Sequence, residues 1–113
     1  MMKLISAAIV ISAFAAPAFA AEPIEGTWKR PSGTLIQYSG SGDKFCGTVL
    51  NGEYKGKSIG CMSGKGADYK GSVNKLDEGK TYSGKAHVEG KTMTLSGCAL
   101  GGLICKSESL TRQ

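Results

Sequence analysis

Apolar and polar residues alternate with a period of two along the last third of the chain, and glycines break the alternation where hairpin turns belong. In the segment from Gly79 to Arg112, GKTYSGKAHVEGKTMTLSGCALGGLICKSESLTR, Gly101-Gly102 suits the two central positions of a primed turn, because both need positive φ. That turn sets Cys98 directly opposite Cys105, within the separation a disulfide spans. It places Thr92, Thr94, Ser96, Ser107, Ser109 and Thr111 on the cystine's face, and Met93, Leu95, Gly97, Ile104, Leu110 and Arg112 on the other. A second turn at Glu89-Gly90 brings Tyr82, Gly84, Ala86 and Val88 onto the same apolar face, with Tyr82 opposite Gly97. Thr81, Ser83, Lys85, His87 and Glu89 then point outward. Two turns chosen independently predict one inner surface.

The upstream pattern predicts five more short strands: Gly26 to Arg30, Thr34 to Tyr38, Phe45 to Leu50, Gly56 to Met62 and Asp68 to Val73. They are punctuated by Pro31-Ser32-Gly33, by Gly40 to Asp43, by the hairpin dipeptide Asn51-Gly52, and by a loose link from Ser63 to Ala67. An extended lead, Ala21 to Glu25, precedes them. No helical periodicity interrupts the series. About eight short strands at close spacing predict an all-β domain, a small antiparallel meander closed into a barrel, with a two-sheet sandwich as the competing layout. All 17 glycines lie beyond the first twenty positions, among Tyr, Ile, Val, Thr and Leu, which suits tight turns and strand bends.

The first 20 residues interrupt this picture. Lys3 supplies a positive start, Leu4 to Ala16 an apolar core, and Ala18-Phe19-Ala20 a small-x-small cleavage site. The expectation is a signal peptide over 1–20, cleaved after Ala20, and one domain over 21–113, exported to the periplasm or secreted. The apolar run is too short for a membrane-spanning anchor. Removing Lys3 lowers the net charge of +5 by one, and the remaining lysines are dispersed, which favours a solvated surface over nucleic-acid binding.

All 4 cysteines follow the leader, so an oxidising compartment makes disulfides the default. Cys98 with Cys105 follows from the register. Cys46 with Cys61 follows only by elimination, because a two-residue turn at Asn51-Gly52 would set Cys46 opposite Lys57 and a longer loop is required. Zinc is disfavoured, since no Cys-x-x-Cys pair occurs. Nor does a catalytic constellation stand out. Gly-Lys-Ser/Thr occurs at Gly56, Gly79 and Gly90, each without the upstream glycine of a phosphate loop. His87, the lone histidine, is flanked by outward residues, and the acids Asp77-Glu78 fall in a turn. No catalytic, cofactor or metal residue is assigned.

Gly26-Thr27-Trp28 opens the first strand, and Arg112 ends the last one facing inward. If the sheet closes, these strands become neighbours and the guanidinium can lie over the indole. Gly26, Trp28 and Arg112 together resemble the closure signature of lipocalins and other calycin barrels. The strings Phe45-Cys46-Gly47-Thr48-Val49, Gly56-Lys57-Ser58-Ile59-Gly60, Lys80-Thr81-Tyr82-Ser83-Gly84 and, most specifically, Gly97-Cys98-Ala99-Leu100-Gly101-Gly102-Leu103-Ile104-Cys105-Lys106-Ser107 resemble the exported bacterial family DUF2147. Two positions depart from it, Leu110 and Tyr69, where the family usually or often has tryptophan. The resemblance implies an exported small β domain and no established activity.

The residues thus suggest a non-enzymatic barrel that takes a small lipophilic ligand against an inner face of Tyr82, Gly84, Ala86, Val88, Met93 and Leu95. A structural or interaction module of the envelope with a filled core is the alternative, and an enzyme the third reading. Nothing in the residues sets the oligomeric state.

Overall fold

Each strand pairs with its chain neighbours, and the last returns to the first. In the computed structural model, which describes residues 22–113, the order is β1 (Gly26–Lys29), β2 (Leu35–Ser41), β3 (Lys44–Val49), β4 (Ser58–Lys65), β5 (Asp68–Lys75), β6 (Lys80–Glu89), β7 (Thr92–Ala99) and β8 (Ile104–Arg112). All pairings are antiparallel and β8 closes on β1, giving an eight-stranded, calycin-like barrel. The expected signal peptide and its cleavage site lie outside the described residues.

Closure removes both sheet edges, which the modest length of β1 alone would otherwise leave open. Trp28 faces Arg112 directly across the seam, and Lys29 faces Thr111. Alternation then sends one side chain in two to the interior. The core comprises Trp28, Ile36, Tyr38, Phe45, Val49, Ile59, Met62, Tyr69, Ala86, Val88, Met93, Leu95 and Leu110, joined by Ile24 from outside the sheet.

The register around Cys98 is the one the glycine pair imposes: Cys98 faces Cys105 and Ala99 faces Ile104. Gly101 and Gly102 both have positive φ, and the Leu103 amide donates to the Leu100 carbonyl at 3.3 Å. Leu100 is also left-handed at φ 53, so the ladder stops one residue short of the turn on each side. The preceding hairpin differs by one pair. Glu89 faces Thr92, so Gly90 and Lys91 occupy the turn, with Gly90 rather than Glu89 taking the positive φ. Gly84, not Tyr82, therefore lies opposite Gly97. A slip of two residues keeps parity, and the inner and outer faces remain as expected.

Three connections are corrected in detail. Asn51-Gly52 is not a two-residue turn: residues between Val49 and Ser58 form a longer loop in which the Gly56 amide bonds the Val49 carbonyl at 2.8 Å. The loose link after Met62 is absent, because β4 continues to Lys65 and turns sharply through Gly66-Ala67 into β5. The lead is not extended but turns at Pro23-Ile24, with the Glu25 amide on the Glu22 carbonyl at 2.9 Å. That turn drives Ile24 to zero exposure beneath the barrel.

Candidate functional site

The two ends of the barrel are built differently. At one end Trp28, Ile24, Phe45, Met62, Met93 and Leu110 are fully buried or nearly so, and Tyr69 meets Phe45 edge-to-face at 5.8 Å between ring centres. Arg112 seals this end. Its guanidinium lies 4.3 Å from the Trp28 ring centre, and it donates to the carbonyls of Glu25, at 2.9 Å, and Pro23. The indole Nε1 donates to the Ile24 carbonyl at 2.9 Å. Gly26 is required beside them: its φ is +129, and a Cβ there would stand 2.9 Å from an Arg112 nitrogen.

The other end is open. A cleft of about 780 Å³ enters between the β1–β2, β3–β4, β5–β6 and β7–β8 connections. Its walls include the aliphatic side chains of Ile36, Val49, Ile59, Val73 and Leu95. Gly97 opens space among them, since a Cβ at that position would meet nothing nearer than 3.8 Å. Part of its polar lining comes from alternation in β8. Gly97 faces Lys106 and Leu95 faces Glu108, so a strand whose other inner residues are Ile104, Leu110 and Arg112 turns two charges toward the cleft.

Those charges are ordered. The Arg30 guanidinium forks onto Glu108, Nε to Oε1 at 2.6 Å and Nη2 to Oε2 at 3.0 Å. Both side chains are only partly exposed, and the bond to Glu108 raises the Arg30 pKa above its ordinary value. Lys75 Nζ reaches Asp77 Oδ1 at 3.1 Å and Glu78 Oε2 at 3.7 Å, and the Tyr82 hydroxyl donates to Glu78 Oε1 at 2.9 Å. Lys106 has no ion-pair partner among the described residues. Below the rim, the Tyr38 hydroxyl is buried with no hydrogen-bond partner, and burial pushes its pKa up while the charge of Arg30 opposes the shift.

The residues singled out from the sequence distribute unevenly over these two ends. Tyr82 and Leu95 line the cleft. Gly84 does not: a Cβ there would stand 2.7 Å from both Met62 and Val73, so its space is already filled. Val88 and Met93 belong to the packed core, and Ala86 is buried opposite Tyr69. Gly26, Trp28 and Arg112 meet at the sealed end. Cys98 and Cys105 are bonded, with Cα atoms 4.0 Å apart, as are Cys46 and Cys61 at 3.9 Å. The Cys46 pairing is direct, and a bulge after Gly47 absorbs the longer loop. Arg30, Glu108, Lys106 and Ile24 went unnoticed, although the β8 alternation already carried Lys106 and Glu108 on the inner face.

On the outer wall, His87 Nδ1 lies 2.7 Å from Asp68 Oδ1 and its Nε2 3.4 Å from Glu89 Oε1. The hydrogen bond to Asp68 raises the His87 pKa. Among the described residues no cluster of three or more His, Cys, Asp or Glu could hold a metal ion, and no helix is long and apolar enough to cross a membrane.

Fold and cleft together define a class of protein, a small closed meander barrel with one sealed end and one open, charge-rimmed end. Residues 57–112, which span β4 to β8, match the family model described as "Uncharacterized protein conserved in bacteria (DUF2147)". Neither the curated proteins nor the solved structures returned a match.

Proposed function

We propose that this protein is an exported binding protein whose open mouth takes a small, partly apolar ligand. The observation that supports the reading is the cleft of about 780 Å³ with Ile36, Val49, Ile59, Val73 and Leu95 in its walls. That volume falls within the range of small-molecule sites, roughly 300 to 1,000 Å³. The apolar part of the ligand rests on those side chains, and its polar end meets the rim, where Lys106 offers a cation that pairs with no carboxylate among the described residues. Two cystines suit an oxidising compartment. A binding role is preferred to a catalytic one because the His87–Asp68 pair stands on the outer wall, away from the cleft residues.

Trp28 sits at the sealed end, so its emission is a poor reporter of the mouth. The test is direct titration with a fluorescent fatty acid, followed by displacement with unlabelled lipophiles. Gly97→Leu, which adds a side chain where there is room for it, is expected to abolish uptake while keeping the wild-type melting temperature. Absence of uptake by the wild type, or uptake indifferent to Gly97→Leu, contradicts the reading. A filled-core interaction module is the second reading, favoured by the dense packing around Trp28 and Met93.

A further inference from the structure

The β7–β8 hairpin carries an apolar tip that the barrel does not use. Leu100, Leu103 and Ile104 are the large hydrophobic residues left exposed among the described ones, at 69%, 85% and 52%. They are contiguous around one turn, whereas scattered single apolar residues would need no explanation. The tip is also braced. Cys98–Cys105 ties the two strands at its base, and Gly101-Gly102 closes it tightly, so the three side chains are presented on a stiff projection.

Its position narrows what it meets. Ile104 also lines the cleft, so the exposed apolar surface continues into the mouth. The same end of the barrel is basic. Once Arg30 is set against Glu108 and Lys75 against one of Asp77 and Glu78, exposed lysines remain at Lys55, Lys57, Lys80 and Lys106, against Glu53 and the other of those two acids. Lys106 follows the tip on β8, and Lys80 begins β6, the strand beside β7. A projecting apolar tip within a ring of cations matches an interface with hydrocarbon in its depth and negative charge at its surface. A second copy of this chain fits less well, because it would bring the same cations together.

We infer that the Leu100–Ile104 tip docks the open end of the barrel on an anionic lipid surface. The apolar side chains enter the headgroup boundary and the lysines stay at the level of the phosphates. This docking does not depend on the cleft's taking a ligand.

The experiment is cosedimentation with vesicles of phosphatidylcholine alone and of phosphatidylcholine with phosphatidylglycerol. Wild type and variants are prepared identically, with the same amino terminus verified by mass. Binding is expected to favour the anionic vesicles and to weaken as salt rises. Leu103→Ser and Leu100→Ser are expected to weaken it by roughly tenfold or more, the consequence of withholding one large apolar side chain from the interface. Both sites are exposed, so unchanged melting temperatures establish that the variants fold. Leu103→Trp adds a local readout, a blue shift of its emission on anionic vesicles and quenching by brominated acyl chains. Absence of binding, binding unaffected by Leu103→Ser or by lipid charge, or self-association that Leu103→Ser abolishes in place of vesicle binding, each overturns the proposal. Gly97→Leu separates this inference from the ligand reading, because it fills the cleft beside Lys106 and leaves the exposed Leu100 and Leu103 unchanged.

Discussion

Arg112 and Trp28 are cross-strand neighbours at the seam where β8 meets β1, and the guanidinium covers the indole 4.3 Å from the ring centre. The same guanidinium holds the Glu25 and Pro23 carbonyls, so one side chain ties the sheet closure to the lead that plugs the barrel. Arg112→Ala is therefore expected to destabilise the fold by about 2 kcal/mol, from the lost cation–π contact and charge-assisted hydrogen bonds. Urea unfolding measures this as a lower midpoint with little change in slope. Arg112→Lys is expected to recover part of the loss, since an ammonium keeps the charge without the planar fork.

Gly26→Ala is expected to destabilise by about 1 to 3 kcal/mol, because φ of +129 is strained for any residue with a Cβ and the added methyl crowds Arg112. The double variant Gly26→Ala with Arg112→Ala is expected to cost less than the two single losses combined. A cycle of four melting or urea curves reads the coupling.

The two cystines close loops of different size, with sequence separations of 15 and 7. Loop-closure entropy makes the larger worth about 3 kcal/mol and the smaller roughly half a kcal/mol less. Replacing Cys46 and Cys61 together by serine is thus expected to lower the unfolding free energy slightly more than replacing Cys98 and Cys105. Paired denaturation curves under non-reducing conditions decide the order.

Tyr38 offers a substitution expected to help. Its hydroxyl is buried without a partner, and the ring packs where a Cβ on Gly47 would approach within 3.0 Å. Tyr38→Phe keeps the ring and removes the unsatisfied oxygen, which should leave stability unchanged or raise it by about 1 kcal/mol. A fall in melting temperature would mean that the hydroxyl makes an essential bond.

His87 sets a small pH dependence. The hydrogen bond to Asp68, with Glu89 adding to it, raises its pKa above 6.5 in the folded state. A raised value means that the folded state binds the proton more tightly, so the contribution is full below the unfolded pKa and is lost as pH rises through the folded one. The pair is exposed, and the effect is screened by salt. Melting temperatures of wild type are expected to fall slightly from pH 6 to pH 8 at low ionic strength, and His87→Gln is expected to flatten that slope.

The predicted faces and the observed ones agree most closely where the turn chemistry is glycine. Cys98 opposite Cys105 follows from Gly101-Gly102 because positive φ at two successive positions leaves few alternatives. Glu89, Gly90 and Lys91 allowed two registers, and only pairing with the rest of β7 chose between them. The cleft was legible in part. Leu95 and Tyr82 line it, but Gly84, read as open space, is filled by Met62 from β4 and Val73 from β5. Which side chains reach across a barrel depends on strands that are distant in sequence, and no local pattern encodes that reach.

Alternation and turn residues therefore determined an all-β antiparallel meander and its inner face, since these follow from period and φ within single strands, while Trp28 and Arg112 pointed to closure of the sheet, which the pairing of β8 with β1 decided. The tertiary structure alone decided that one end is sealed by Ile24 and Arg112, that the other is open, and that Arg30 meets Glu108 there. Each of those outcomes needs the closure of β8 on β1. Only then do residues from opposite ends of the chain share one interior and compete for its volume.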